Sequence, residues 1–401
     1  MALIVQKFGG SSVADAERIS RVAWIIAEAY TEGNDIVVVL SAQGDTTDDL
    51  IAQAKEINPN PSNREMDVLL STGEQASVAL MAMALEKLGL PVVSLTGWQI
   101  GLQTNSDFGN ARVKAVASER IKAELDRRRI VLIAGFQGIN RYDDITTLGR
   151  GGSDTTAVAV AVVLHADICR IYTDVEGVFT GDPNKVEHTR KLDEITYDEM
   201  LELASLGAQV LHNRSVEMAK RYSVNLEVLS SFNRAPGTKV KEVTKVESSQ
   251  ISGVAKDAKI ARIALVGLRD EPGVAFKIFR VLANSRINVD IILQSIGRDE
   301  TKDISFTVNK ADMKTATKVL EEQKEALGYD SISVTDKIAK VSIVGAGMMS
   351  APGVASQMFE ALYDAKVNIS MISTSEIKIS VLVDEQDADR AVSAIHKKFF
   401  E

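Results

Sequence analysis

Short apolar runs alternate with longer amphipathic stretches over the first 232 residues of the 401-residue chain. The stretches between runs repeat apolar residues at helical spacing, as Ile19, Val22 and Ile26 do. Strands alternating with helices predict an α/β fold, with a mainly parallel sheet sandwiched by helices. The strands are predicted at residues 3–8, 35–40, 92–95, 130–134, 168–172 and 225–229, and the helices at 16–30, 64–88, 112–127, 155–165 and 197–222.

The segment after the first predicted strand carries the first candidate chemistry. It reads KFGGSS over residues 7–12. Lys7 supplies a compact positive charge, and the two glycines allow the backbone to approach a ligand closely. This combination suits a phosphate, although the P-loop pattern GxxxxGK[ST] does not occur in the chain. A purely structural turn is the alternative.

Further loops after predicted strands are also polar, and ligands bind beyond the carboxyl ends of parallel strands. Residues 41–48 read SAQGDTTD, which indicates either a site or a helix-capping turn. Gly73, in STGE, costs a helix about 1 kcal/mol relative to alanine, which indicates a site or a helix junction. In LGRGGSDTT, amide groups at a helix start can hold an anion and Arg150 can bind a carboxylate.

The loop after the fifth predicted strand reads YTDVEGVFTGDP over residues 172–183. It is polar, ends in a proline and could cover a nucleotide base and ribose, with Asp174 and Asp182 as polar anchors. Phe179 in its middle is equally compatible with a core position.

Composition and charge narrow the class of protein. The net charge of -9 argues against nucleic acid as a partner, because phosphate backbones need clustered lysine and arginine. The single cysteine, Cys169, excludes an internal disulfide and fits a reducing, cytoplasmic setting. The amino terminus has no export pattern, and no uncharged apolar run is long enough to span a membrane, so we expect no membrane association.

The carboxyl-terminal third repeats itself after a predicted linker at residues 234–250. Pro272-Gly273-Val274-Ala275 aligns with the same four residues at 352–355, and each copy reads strand, Pro-Gly, helix, strand, hairpin, strand, helix. The second copy lacks a final strand, and we expect residues 251–256, ISGVAK, to supply it. The predicted domains are therefore 1–233, an inserted repeat at 258–336, and a second repeat made of 251–257 and 337–401.

Five motifs together resemble the aspartate kinases of the amino acid kinase superfamily, in that family's order. They are KFGGSS (7–12), SAQGDTTDDL (41–50), STGEQ (71–75), LGRGGSDTTA (148–157) and YTDVEGVFTGDP (172–183). The carboxyl-terminal repeats resemble ACT domains, which bind small amino acids where two such domains meet. The resemblance implies the amino acid kinase fold followed by two α+β ACT domains of ferredoxin-like topology.

The resemblance also implies roles for individual residues. Lys7 and Asp154 would be catalytic, with Asp154 organising Lys7 or the metal. Glu74 would face the amino group of aspartate and Arg150 its α-carboxylate. The implied substrate-binding residues are Thr47, Glu74, Arg150, Gly152 and Ser153, and the implied phosphate- and nucleotide-binding residues are Lys7, Phe8, Gly9, Gly10, Ser11, Ser41, Thr173, Asp174, Phe179, Asp182, Pro183, Lys185 and Gln209.

Three positions depart from the family pattern. Gln43 stands where methionine is common, and Phe179 where tyrosine is common. Gln209 stands where many members have a lysine that reaches the nucleotide, which removes one charge contact with ATP and leaves more of that role to Lys185.

The activity implied is transfer of a phosphoryl group from ATP to the side-chain carboxylate of L-aspartate, giving 4-phospho-L-aspartate, a first step towards lysine, threonine and methionine. An ionised carboxylate is already a nucleophile, so catalysis reduces to positioning and charge stabilisation. We expect Mg²⁺ to be carried by ATP rather than by protein ligands. The four histidines, His165, His188, His212 and His396, do not cluster in sequence and are expected to be structural or exposed.

The resemblance places effector pockets at the Pro-Gly loops and the strand that follows each first helix; ordinary helix capping is the alternative for those loops. The charged residues differ between the copies, which favours two unlike effectors, lysine and threonine. Exposed sheet edges predict a homo- or hetero-oligomer through the ACT domains. The implied effector residues are Asp270, Val274, Ala275, Asn288, Val289, Asp290 and Gln294 in the first copy, and Val354, Ala355, Asn368, Ile369, Ser375 and Glu376 in the second.

Two other functions remain open at this point. One is a different kinase of the superfamily, acting on glutamate, acetylglutamate or a nucleotide. The other is an amino acid sensor on a catalytically dead kinase scaffold.

Overall fold

The computed structural model describes residues 1–206, 210–242, 251–296 and 301–401. The chain divides into two compact units. The first contains Met1–Phe179 and Arg190–Val246, and the second contains Thr180–Thr189 and Glu247–Glu401.

The first unit is built on an eight-stranded sheet in the order β10-β12-β11-β9-β1-β2-β6-β3. All pairs in it are parallel except β11 with β12, which confirms the predicted fold class. Its strands and those of a smaller sheet, β5-β4-β7-β8, are β1 (Leu3–Phe8), β2 (Asp35–Leu40), β3 (Val92–Leu95), β4 (Gln103–Thr104), β5 (Val113–Ala115), β6 (Ile130–Ala134), β7 (Gln137–Ile139), β8 (Ile145–Thr147), β9 (Ile168–Thr173), β10 (Glu194–Thr196), β11 (Leu226–Ser230) and β12 (Thr238–Lys241).

The helices of the first unit form where the sequence provides caps and apolar faces. Asp15 accepts a hydrogen bond from the Arg18 N–H and so starts the first helix. The fifth helix is rich in alanine and valine, and almost all of its residues are buried. The helices are α1 (Ala16–Thr31), α2 (Thr46–Ile57), α3 (Asn63–Lys87), α4 (Glu119–Leu125), α5 (Gly152–Leu164), α6 (Tyr197–Ser205) and α7 (Asn213–Arg221).

Three predictions for the first unit are wrong. Residues 112–127 are not one helix, because Val113–Ala115 forms β5 and only Glu119–Leu125 is helical. Residues 197–222 form α6 and α7, since His212 before α7 has an extended backbone that interrupts the helix. Residues 234–250 are not simply a linker, because β12 pairs there with β10 and β11.

The long helix α3 runs through Gly73 without a junction. A Cβ atom at Gly73 would lie 2.8 Å from the Ala42 Cβ, so the glycine permits close packing against the loop after β2. Among the described helices, α3 alone is long and apolar enough to cross a membrane by length and composition. Val78, Met81 and Leu85 on α3 are buried in the core cluster beside the sheet, as in the core helix of a globular domain.

The second unit contains two four-stranded antiparallel sheets, β15-β16-β14-β17 and β13-β18-β20-β19. Gly273 and Gly353, which precede the first helix of each copy, both have φ 94°, so the repeat extends to the backbone turn. The elements are β13 (Gly253–Asp257), β14 (Ile260–Arg269), α8 (Val274–Asn284), β15 (Val289–Ile296), β16 (Thr301–Asn309), α9 (Met313–Glu322), α10 (Lys324–Leu327), β17 (Ser331–Thr335), β18 (Ile338–Val344), α11 (Val354–Asp364), β19 (Met371–Thr374), β20 (Lys378–Asp384) and α12 (Ala388–Phe400).

The expected donation of a strand to the second repeat is confirmed. The strand β13, from the stretch predicted at 251–256, pairs antiparallel with β18 and completes the second sheet. Val254 belongs to the same hydrophobic cluster as Val341 of β18, so burial of the alternating apolar residues fixes the pairing.

The segment Thr180–Thr189 groups with the second unit, although it precedes β10 in the chain. Val186 is buried in the hydrophobic cluster of the second repeat. The carbonyl of Thr180 accepts a hydrogen bond from the Val254 N–H at 2.8 Å, and its hydroxyl lies 2.9 Å from Nε2 of the buried His396.

Candidate active site

A cavity of about 710 Å³ opens in the first unit and contains most of the predicted catalytic and substrate-binding residues. Segments that follow β1, β2 and β8 contribute to its lining, together with α3 and the start of α5. The predicted residues that line it are Lys7, Gly10, Ser41, Thr47, Glu74, Arg150, Gly152, Ser153 and Asp154.

Lys7 and Asp154 form a mostly buried ion pair at this cavity. Nζ of Lys7, near the end of β1, lies 2.7 Å from Oδ1 of Asp154 in the first turn of α5. The side chains are only 12% and 10% exposed, so the ammonium group is held in place by the carboxylate. A fixed cation beside a helix amino terminus is suited to an anionic phosphoryl group.

The glycines after β1 bring backbone close to both the lysine and the next loop. A Cβ atom at Gly9 would lie 3.5 Å from Lys7 Nζ, and one at Gly10 would lie 2.7 Å from the Ala42 carbonyl. The Gly10 carbonyl accepts a hydrogen bond from the Gly44 N–H at 3.1 Å. Gly10 therefore cannot be replaced by a larger residue without moving the loop after β2.

Glu74 presents a buried carboxylate to the cavity from α3. The side chain is 3% exposed, and its Oε1 accepts a hydrogen bond from the Ala42 N–H at 3.1 Å. Its Oε2 is buried without a hydrogen-bond partner among the residues that the structure describes. Burial raises the pKa of Glu74 to about 8, and the bond from Ala42 opposes this rise. A ligand ammonium group would supply the missing partner.

Arg150 lies between two glycines in left-handed conformation, Gly149 at φ 76° and Gly151 at φ 71°. A Cβ atom at Gly151 would lie within 2.6 Å of His212, so only glycine fits at the start of α5. Within the described part of the chain Arg150 has no ion-pair partner, which leaves its guanidinium free for a carboxylate. Once Glu74 has lost its proton, it and Arg150 offer opposite charges in one cavity.

The other predicted nucleotide-binding residues lie in several separate places. The Phe8 ring is fully buried and stacks on Tyr172 at 4.5 Å, so its side chain belongs to the core. Thr173 donates a hydrogen bond to Asp174 in the first unit, while Asp182, Pro183 and Lys185 lie in the second unit. Lys185 pairs with Asp182 at 3.2 Å. Gln209 lies outside the described residues.

Two residues beside the cavity are not among the predicted site residues. Asp67 is fully buried and lines it from α3, and the half-buried His212 packs against Gly151. Burial lowers the pKa of His212, which favours its neutral form. The available signal was the spacing of Asp67 and Glu74 on one helix, seven residues and so about two turns apart.

The predicted effector residues include two aspartates already paired with lysines in the second unit. Asp270 forms an ion pair with Lys302, and Asp290 forms one with Lys340. Lys340 lies on β18 of the second repeat and is 4% exposed, so the pair with Asp290 joins the two repeats. In the second copy Val354 is buried and Glu376 is exposed.

Two family models match the chain. The amino acid kinase family model matches residues 2–230, and an ACT domain model matches residues 263–323 and 341–399. An aspartokinase of Bacillus sp. (strain MGA3) is 51% identical over 400 residues, covering 100% of this chain and 97% of that protein.

Solved structures agree with the sequence matches. E. coli aspartokinase III in complex with aspartate and ADP is 28% identical, with a TM-score of 0.87 and coverage of 100% of both chains. The same enzyme in complex with lysine and aspartate matches with a TM-score of 0.77 at 28% identity, again over 100% of both chains.

The chain therefore belongs to the amino acid kinase family and, within it, to the aspartokinases. As a member of that family it is an enzyme, a kinase that carries ACT domains.

Proposed function

We propose that the chain transfers the γ-phosphoryl group of ATP to the side-chain carboxylate of L-aspartate, forming 4-phospho-L-aspartate. The observation that carries this proposal is that the Lys7–Asp154 pair shares one cavity with Glu74 and Arg150. Phosphoryl transfer needs a fixed cation, and an α-amino acid needs an anion and a cation to bind its two backbone groups. This cavity contains all three.

Substrate binding is proposed to use the Arg150 guanidinium and the deprotonated carboxylate of Glu74. Arg150 takes the α-carboxylate of aspartate through parallel hydrogen bonds. Glu74 accepts hydrogen bonds from the amino group, which satisfies its buried oxygen. Thr47, Gly152 and Ser153 complete the lining around the substrate. The side-chain carboxylate is left as the nucleophile.

Catalysis then follows from position and charge. The aspartate carboxylate is ionised near neutral pH, so no base is required. Lys7 stabilises negative charge that spreads over the moving phosphoryl group, and Asp154 holds Lys7 in place. The backbone at Gly9 and Gly10 allows the phosphates to approach, and Ser41 lies beside them in the same cavity as Gly10.

Mg²⁺ is proposed to arrive with the nucleotide. Among the described residues no three His, Cys, Asp or Glu side chains are grouped as metal ligands, and Asp154 is engaged by Lys7. The donor set therefore fits an ion held mainly by the phosphates, with Asp154 as the protein carboxylate at hand. When bound, such an ion would neutralise charge on the β- and γ-phosphates.

The remaining nucleotide contacts are proposed from sequence: Thr173, Asp174 and Phe179, followed by Asp182, Pro183 and Lys185. The loop is polar and follows the central strand β9, where ligands of parallel sheets bind. Many family members have a lysine in place of Gln209 that contacts the nucleotide. Lys185 is proposed to make part of that contact instead.

The first test compares acceptors. ADP formation with ATP and Mg²⁺ is measured for L-aspartate, L-glutamate and N-acetylglutamate at equal concentrations. We expect the kcat/KM for aspartate to be about 10- to 200-fold above that for glutamate and no lower than that for N-acetylglutamate, since one extra methylene in a fixed site costs about this factor. Preference for glutamate or acetylglutamate would support the rival kinase, and no turnover with any acceptor would support a dead scaffold.

We also propose feedback control by lysine and threonine through the ACT repeats, with assembly into an oligomer through them. The related E. coli enzyme was solved with lysine bound. The segment Thr180–Thr189 packs within the second unit and carries Asp182 and Lys185, which are proposed above as nucleotide contacts. The Thr180–His396 contact ties this segment to α12 of the second repeat.

Control can be tested with the effectors alone and combined. Turnover is measured with lysine, threonine and both, for the wild type, Thr180→Val and Thr180→Ser. We expect inhibition of the wild type, and a several-fold higher half-inhibitory concentration for Thr180→Val, because valine removes the hydroxyl that contacts His396. Serine should preserve the wild-type response. Absence of any response to either amino acid would contradict the feedback proposal.

A further inference from the structure

Asp67 is a fully buried carboxylate that has no role in the mechanism proposed above. It lies on α3, on the same face as Glu74, and lines the same cavity. A buried carboxylate is costly unless hydrogen bonds compensate it, so its partners indicate what it does. Burial raises the pKa of Asp67, and hydrogen bonds from Thr147 and Gly109 oppose that rise.

The partners of Asp67 are in two chain segments that precede and support the Arg150 loop, residues 148–151. Its Oδ1 accepts a hydrogen bond from the Thr147 hydroxyl at 2.7 Å, and its Oδ2 accepts one from the Thr147 N–H at 2.9 Å. The Gly109 N–H is shared between the two oxygens, at 3.0 and 2.9 Å. The Gly109 carbonyl in turn lies 3.1 Å from the position of a Cβ atom at Gly149.

Arg214 holds the same two segments through their acceptors. One of its terminal nitrogens donates to the Leu148 carbonyl at 2.6 Å, and the other donates to the Ala111 carbonyl at 2.8 Å. The Ala111 N–H donates to the Thr147 carbonyl at 2.8 Å, which joins the segments directly. A carboxylate therefore binds the donors, and a guanidinium binds the acceptors, of the backbone that leads into Arg150.

We propose that Asp67 and Arg214 are positioning residues that fix Arg150 relative to Glu74. Asp67 and Glu74 share one helix, so the bond from Asp67 to Thr147 ties the site of the substrate's carboxylate to the site of its amino group. The two substrate groups are then bound at a set separation, which selects an α-amino acid. This inference rests on the proposed function, in which Arg150 binds the α-carboxylate.

The test uses variants on both sides of one hydrogen bond. Asp67→Asn places an amide NH₂ opposite main-chain donors, and Thr147→Val removes the hydroxyl at nearly constant volume. We expect the aspartate KM to rise about 10- to 100-fold in Asp67→Asn, because even a small displacement of Arg150 weakens substrate binding by such a factor. The ATP KM should stay within about twofold of wild type. Thr147→Val should show a smaller rise that Thr147→Ser reverses.

Two controls separate positioning from general loss of stability. Glu124→Gln alters a carboxylate that is about as buried but is paired with Arg120 of α4 and with Arg129 beyond the end of that helix. It should lower the melting temperature while leaving both KM values unchanged. The double variant Asp67→Asn/Arg150→Ala should have an aspartate KM no higher than Arg150→Ala alone, because residues that act as one unit are not additive.

The outcomes separate a failure of the positioning role from a failure of the proposed function. If Arg150→Ala raises the aspartate KM but Asp67→Asn and Thr147→Val do not, the positioning role is wrong and the proposed function stands. Additive effects in the double variant would also overturn it. If Arg150→Ala leaves the aspartate KM unchanged, the assigned role of Arg150 is wrong, and the inference falls with it. Should Asp67→Asn fail to fold, Thr147→Val and its serine control decide the question.

Discussion

Replacing Lys7 by alanine is expected to lower kcat about 100- to 1,000-fold, the effect of removing one preorganised donor to transition-state charge. The Lys7 ammonium is 2.7 Å from Asp154 and largely buried, so the carboxylate holds its charge in a fixed position. The aspartate KM should change little, because Arg150 and Glu74 carry that binding. Initial rates at saturating ATP and aspartate measure the effect.

A matched control exists in another lysine–aspartate pair. Lys220 contacts Asp198 at 2.6 Å, but both side chains are substantially exposed. Lys220→Ala should keep kcat within about twofold, since exposed pairs contribute little. Turnover of Lys7→Ala near the wild-type rate, in a protein with an unchanged melting temperature, would show that the first loop is a structural turn.

Replacing Glu74 by glutamine is expected to weaken aspartate binding about 10- to 100-fold, because a charge-assisted hydrogen bond to the substrate ammonium is lost. In the wild type, the aspartate KM should fall as pH rises towards about 8, since the buried Glu74 must lose its proton to bind the ammonium group. The glutamine variant should lack this dependence. Steady-state kinetics from about pH 6 to about pH 9 measure both, since a group with a pKa of about 8 loses most of its proton within about one unit of that value.

The same variant is expected to be more stable than the wild type at high pH. The pKa of Glu74 is about 8 in the folded protein against an ordinary value of 4.5, so the folded state holds the proton more tightly. Stability therefore falls as pH rises from about 4.5 to about 8, and Glu74→Gln should remove this loss, on the order of 2 kcal/mol or more at the upper end. Exposed Glu65 on the same helix is the control, and Glu65→Gln should show no such gain. Equal melting temperatures for wild type and Glu74→Gln across this range would contradict the buried-carboxylate account.

Much of the catalytic fold was predictable, because short apolar runs such as residues 35–40 and 130–134 are completely or almost completely buried, as expected of central strands in a parallel sheet. The substrate part of the site was predictable for a related reason. Loops at the carboxyl ends of these strands carry unusual residue types, such as Arg150 between left-handed glycines. The donated strand β13 followed from counting strands in the two repeats.

The features that were wrongly predicted or not predicted depend on contacts between residues that are separated in the sequence. The short strand β5, which pairs with β4, has only three residues and leaves almost no periodic signal, so the pattern at 112–127 predicts a single helix. The position of Thr180–Thr189 in the second unit depends on burial of Val186 beside residues more than 60 positions later. Asp67 could not be assigned because its partners, Gly109 and Thr147, are 42 and 80 residues away in the chain.

The most direct test of the account identifies the product. Purified protein is incubated with ATP, Mg²⁺ and L-aspartate, and phosphorus-31 NMR follows the nucleotide while hydroxylamine traps any acyl phosphate as its hydroxamate. The account predicts ADP and aspartyl hydroxamate in equal amounts, both dependent on aspartate and both lost in Lys7→Ala. Formation of ADP and inorganic phosphate without hydroxamate, or at a rate independent of aspartate, would contradict it.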